Sequence, residues 1–228
     1  MIPGIDSIPM PIAWLCYLQA MNNLVSQAGT METHGLPNDI LYNFTLILDV
    51  ILLQVLRAYV YPQLRRWRIK VGPIRRITAG FVAGVAAIVW AAIVQQMIYS
   101  AGPCYELPLA CPASEGGTVP NRVHVMLQFP SYFCFALSES LWSVTAAEYA
   151  YTKAPTSMKS VIYALNLLTV AVASALGIAV SRAAVDPGLV IMYSALAAVY
   201  FVTTCLFWFY CRKYDALEDE LFQIDAAK

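Results

Sequence analysis

Glu139 sits in the run Phe135-Ala136-Leu137-Ser138-Glu139-Ser140-Leu141-Trp142, midway along a long apolar stretch. A carboxylate in such surroundings can pair with an ammonium group or hold a proton. Near the centre of a bilayer it would cost about 2.5–3.5 kcal/mol on insertion scales, so it is expected to face a cavity and to serve function. Ser143 then falls one turn below it and Trp142 beside it, which makes both candidates for the same binding site. Glu148 follows nine positions on. At about 100° per residue it lies on the opposite helix face, so the two glutamates are not an acid pair acting on one substrate.

A second group of polar side chains, Gln19, Asn22, Asn23, Ser26 and Gln27, interrupts another apolar stretch. On a helical wheel they fall within an arc of about 140°. Such a stripe is either interhelical hydrogen bonding, worth about 0.6–2 kcal/mol per contact, or a cavity wall of amide donors and acceptors suited to a peptide-like ligand. Five polar groups on one face favour the cavity, with Gln19, Asn22 and Asn23 as binding candidates. Asp49 lies near the centre of a further apolar stretch, with Arg57 two turns on. Their separation of about 12 Å along a helix axis is too long for a direct pair, so Arg57 is expected to snorkel and Asp49 needs another partner or a proton.

The elements that must position these groups are set by composition. Of 228 residues, 60% are hydrophobic and 12% charged, against roughly 45–50% and about 25% in a soluble domain. The apolar runs are long and do not alternate, so they read as helices, and a spanning helix takes about 20 mainly apolar residues. Spans are expected at roughly 8–30, 40–61, 76–100, 123–150, 158–181 and 188–210, with 211–228 as a tail. The fold class is all-α: a single integral membrane domain, a six-helix bundle with the lipid bilayer as its first partner.

Lysines and arginines supply the direction. Arg65, Arg66, Arg68, Lys70, Arg75 and Arg76 lie between spans two and three, Lys153 and Lys159 between four and five, and Arg212 and Lys213 after six. Basic loops stay in the cytoplasm, which puts both termini inside and 31–39, 101–122 and 182–187 outside. Met1 to Met10 contain no Lys or Arg and so lack the basic region of a secretory signal. With 14 basic and 14 acidic residues the net charge is zero, which argues against nucleic acid as partner.

Cys104 and Cys111 share the expected outer loop, where an oxidising exterior permits a disulfide. No CxxC or His pair accompanies them to make a zinc site, and Cys16, Cys134, Cys205 and Cys211 read as lone thiols. His34 and His124 fall at outer boundaries, as solvated or capping residues. Asn43-Phe44-Thr45 spells a glycosylation sequon inside a hydrophobic run and is expected to be unused. No phosphate-binding loop, metal-ligand cluster or Ser/His/Asp arrangement can be assembled, so neither an enzyme nor a cofactor is expected. The small residues of Ala79-Gly80-Phe81-Val82-Ala83-Gly84 and Ala171-Val172-Ala173-Ser174-Ala175-Leu176-Gly177 mark packing faces.

Several runs resemble a known family. Asn22-Asn23-Leu24-Val25-Ser26-Gln27-Ala28-Gly29 with Thr33-His34-Gly35-Leu36-Pro37-Asn38-Asp39 is similar to the seventh helix and following loop of fungal peptide permeases. Tyr61-Pro62-Gln63-Leu64-Arg65-Arg66, Ala136-Leu137-Ser138-Glu139 and the more specific Glu148-Tyr149-Ala150-Tyr151-Thr152-Lys153-Ala154-Pro155 extend the likeness. These permeases form the proton-dependent oligopeptide transporter family of the major facilitator superfamily. The resemblance implies a plasma-membrane symporter of di- and tripeptides with protons, in which the glutamate matching Glu139 meets the peptide amino terminus. It also implies that this chain is the C-terminal half of such a fold, two inverted three-helix repeats. The chain begins where the seventh helix would, and the first-helix ExxER motif, the fourth-helix lysine and the fifth-helix signature are not in it. It therefore reads as a truncated or half-length member that needs a complementary N-terminal half or a second copy. The alternative is a non-transporting, degenerate or regulatory membrane protein.

Overall fold

The computed structural model describes residues 9–67, 72–153 and 158–226. Arg68 and Lys70 of the basic loop, and Ala154 and Pro155 of the resemblance, lie outside them. Six long helices are found among the described residues: α1 (Pro9–Ala28), α2 (Ile40–Val55) continued by α3 (Tyr61–Arg66), α4 (Pro73–Ser100), α5 (Phe129–Lys153), α6 (Lys159–Ser181) and α7 (Leu189–Ala226).

Local chemistry explains where they begin and bend. Gly72 caps α4, and Pro73 takes its first turn, where a missing N–H costs nothing. Between α2 and α3 the chain widens into a π-helical turn, Leu56–Val60. Pro62 follows directly, and a proline both removes a donor and crowds the carbonyl four residues back, a conflict that a wider turn relieves. α5 starts at Phe129 because Asn121–His124 forms a short strand parallel to Met31–Glu32 and Val125–Gln128 a 3-10 turn. That turn is capped by His124, whose Nδ1 accepts from the Met126 N–H at 3.1 Å. The sequon lies inside α2, with Thr45 buried and bonded to the Leu41 carbonyl at 2.9 Å.

Among the described residues four helices are long and apolar enough to cross a membrane by themselves: Ile40–Leu64, Pro73–Ser100, Lys159–Ser181 and Leu189–Arg212. α1 and α5 are the two that carry the interrupting polar groups. The main helix contacts are α4 with α5, α4 with α7, α1 with α6, α2 with α5 and α1 with α7. Exchanging α1 with α5, α2 with α6 and α4 with α7 maps this set onto itself, the signature of two equivalent three-helix units.

The core lies where α4, α5, α7 and α1 converge. Phe81 packs on Trp142, Tyr200 and Phe207 with ring centroids 5.5, 5.5 and 5.3 Å apart. A Cβ at Gly80 would come within 2.8 Å of the Trp142 backbone nitrogen, and one at Gly84 within 2.9 Å of Ser138 Oγ. Glycine here lets α4 and α5 close on each other, and Ser138 Oγ donates across the gap to the Gly80 carbonyl at 2.7 Å.

At the end carrying the 101–122 loop, Cys104 and Cys111 are joined, with Cα atoms 5.4 Å apart. His34 and His124 face each other there at 5.1 Å. At the opposite end Arg76 lies over Tyr61 at 4.1 Å, Lys159 over Tyr151 at 4.3 Å and Arg212 over Phe209 at 5.1 Å. Cations on aromatic faces at a helix end suit a membrane interface.

Candidate functional site

Glu139 is half-buried on α5, on the side where α1 and α2 approach. The Tyr17 hydroxyl of α1 donates to its Oε2 at 2.5 Å. The next residue reaches the other way: Ser140 Oγ donates to Asp49 Oδ1 on α2 and lies 3.3 Å from the Asp49 carbonyl. Asp49 is thereby tied to α5 at the position next to Glu139. Consecutive positions on α5 thus gather two carboxylates, each held by a hydroxyl from a neighbouring helix.

This arrangement suits positive charge. An ionised carboxylate only accepts hydrogen bonds, and a protonated one also donates, so the pair can receive an ammonium group or protons as its surroundings dictate. Among the described residues no group of three or more His, Cys, Asp or Glu is placed to hold a metal ion.

The polar stripe of α1 is divided. Gln19 is buried and donates to the Gly177 carbonyl of α6 at 2.7 Å, and Asn23 is buried with Nδ2 at 3.6 Å from Met192 Sδ of α7. Gln27 joins Gln95 Oε1 at 2.7 Å and receives Gln128 Nε2 at 2.8 Å. In this structure these three amides serve contacts between helices. Asn22 and Ser26 remain exposed. Trp142 also departs from expectation: it is 1% exposed, wedged between Trp14 at 4.9 Å and Phe81 at 5.5 Å. Three positions past Glu139 its ring turns towards α4, so here it packs the core and does not line the site. Ser143 is half-buried one turn beyond Glu139, and Glu148 is exposed. Arg57 is exposed in the π-helical turn.

Sequence reasoning missed Tyr17 and Ser140. A tyrosine hydroxyl in an apolar run needs a partner, which was the available signal for Tyr17. Ser140 had none beyond standing next to Glu139.

A family model described as the POT family matches residues 7–199. The chain is 48% identical over 218 residues to Peptide transporter PTR_A of Candidozyma auris, covering 94% of this chain and 36% of that one. It is 42% identical to Peptide transporter PTR2 of Saccharomyces cerevisiae, with 94% and 35% covered. Peptide transporter imqD of Aspergillus flavus shares 45% identity, with 90% and 50% covered. The chain thus spans between a third and a half of these relatives' lengths. In solved structures its fold matches the POT family transporter PepTSo with a TM-score of 0.71 at 17% identity, covering 92% of this chain and 40% of that one. An auto-inhibited POT family peptide transporter matches with a TM-score of 0.67 at 20% identity, with 91% and 40% covered. With most of its sequence matched by the family model, the chain belongs to the POT family of membrane transporters.

Proposed function

We propose that the chain works as the C-terminal half of a proton-coupled di- and tripeptide symporter, with Glu139 as the carboxylate that meets the peptide's ammonium group or a proton. The observation that carries this reading is the pairing of Glu139 and Asp49 at mid-helix depth, each held by a neighbouring hydroxyl. The names of the relatives supply the substrate class. Asn22 and Ser143 sit on partly open surface and complete the proposed site. The other wall comes from a complementary N-terminal half or a second copy, since alternating access rocks two halves about a central site. Both termini lie in the cytoplasm of a plasma-membrane protein, and the bridged loop 101–122 faces the oxidising exterior.

Coexpression with the N-terminal half of a related permease tests the reading. Uptake of a labelled dipeptide is expected only in the paired sample, and Glu139→Gln should abolish it while membrane insertion persists. Full uptake by the Gln variant would remove Glu139 from the mechanism. Absence of uptake in any pairing would favour a non-transporting membrane protein.

A further inference from the structure

Where α4 and α7 pack together they leave a groove of about 410 Å³, open along one side. Ligand sites commonly measure about 300–1,000 Å³ and are apolar with a few placed polar groups. This groove fits that pattern. Val89, Ala92 and Ile93 of α4 and Ala197 of α7 supply apolar wall, and Gln96 of α4 and Ser194 of α7 interrupt it.

The two polar side chains lie at one depth. Gln96 is four residues before Ser100, the last of α4, and Ser194 is five after Leu189, the first of α7. Tyr99 donates to Asp186 just beyond, which holds these two helix ends level. At 1.5 Å per residue, both groups stand about 6–8 Å inside the end that carries the 101–122 loop. Ile93, Ala92 and Val89 precede Gln96 by three, four and seven positions. They share its helix face and carry the apolar wall about 10 Å deeper. The groove therefore has a polar head and an apolar body.

Hydrogen-bond chemistry selects the occupant. The Ser194 hydroxyl gives its proton to the Val190 carbonyl at 2.8 Å, and its oxygen can still accept. The exposed Gln96 amide makes no hydrogen bond to another described residue, and it offers both donors and an acceptor. Against hydrocarbon such an amide is costly until something pairs with it. The ester carbonyl of an acyl lipid only accepts, so it would leave the Gln96 carbonyl and Ser194 unserved. A single hydroxyl accepts and donates at once. A rigid ring system also fills an apolar groove with less ordering cost than flexible chains.

We propose that this groove binds a membrane sterol, its hydroxyl between Gln96 and Ser194 and its rings along Ala92 and Val89. The site lies on α4 and α7, apart from Glu139, and stands whatever Glu139 does.

The test uses the full chain in lipid nanodiscs with a photoactivatable, alkyne-tagged cholesterol analogue. Labelled peptides should cover 89–97 and 190–197, and excess cholesterol should suppress them while cholesteryl methyl ether, which has no O–H, should not. Gln96→Leu should weaken labelling about fivefold, the size of one hydrogen bond made in lipid. Ala92→Trp should abolish it by filling the groove with both polar groups kept. Equal labelling of α6 around Ile178, which is 72% exposed, or full labelling in Gln96→Leu would mean bulk lipid contact and overturn the proposal. So would Ile93→Cys linking two copies of the chain equally with and without sterol, which would give the groove to a second copy.

Discussion

Two joints of this bundle are equivalent by connectivity and opposite in chemistry. The α1–α6 joint is closed: Ala173 and Gly177 are the buried residues of α6, and Gln19 crosses to the Gly177 carbonyl. Its counterpart, α5–α2, is made by Ser140 and the carboxylate of Asp49, beside Glu139. Small residues and an amide make a contact indifferent to protons. A hydroxyl and two carboxylates make one whose hydrogen bonds change when either acid gains a proton. The same helix arrangement thus yields one fixed joint and one that can respond to charge, and both flank the face proposed to meet the other half.

The comparison fails if the shared core does not hold both joints, so the largest expected effect comes from Phe81→Ala. Removing a fully buried aromatic should cost about 3–5 kcal/mol, read as a lowered unfolding temperature in detergent with both joints lost together. Retention of most of the stability would show that the joints stand independently.

Gly177→Leu separates the two. A Cβ there would lie 2.7 Å from Gln19 Nε2, and overpacking of this kind costs about 1–3 kcal/mol. Disulfide trapping between α1 and α6 should weaken while trapping between α2 and α5 stays unchanged.

Ser140→Ala sharpens the contrast with the smallest expected effect. It removes a hydrogen bond to a carboxylate, worth about 1.5–3 kcal/mol if charged and about 1 if neutral; Ser140 itself is buried, but the Asp49 carboxylate it leaves is half-buried and recovers part of that from solvent. Stability should therefore fall only slightly, while the pH dependence of the α2–α5 contact, followed by a spin-label pair, should change. An unchanged pH profile would show that the joint does not respond to protons.

Much of this was legible in the sequence, for physical reasons. Apolar runs without alternation announce helices because the bilayer demands them, and Glu139 stood out because a carboxylate at that depth is costly. Gln19, Asn23 and Gln27 were correctly placed on one face, but a helical period says nothing of which neighbour that face meets. For Trp142, closeness to Glu139 along α5 does not reveal that three positions turn the ring onto Phe81 of α4. Asp49 was seen to need a partner, and the partner came from a helix some 90 residues away. The pairing of Met31–Glu32 with Asn121–His124 is too short to leave a period at all.

The central claim is that the Glu139 face is wet and meets peptide. In a background with Cys16, Cys134, Cys205 and Cys211 replaced, paired with an N-terminal half, Ser143→Cys should react with a water-soluble maleimide and be protected by excess dipeptide. Val202→Cys, on the exposed apolar side of α7, should stay unlabelled in the membrane. An inert Ser143→Cys beside a reactive Val202→Cys would place lipid where the account places substrate.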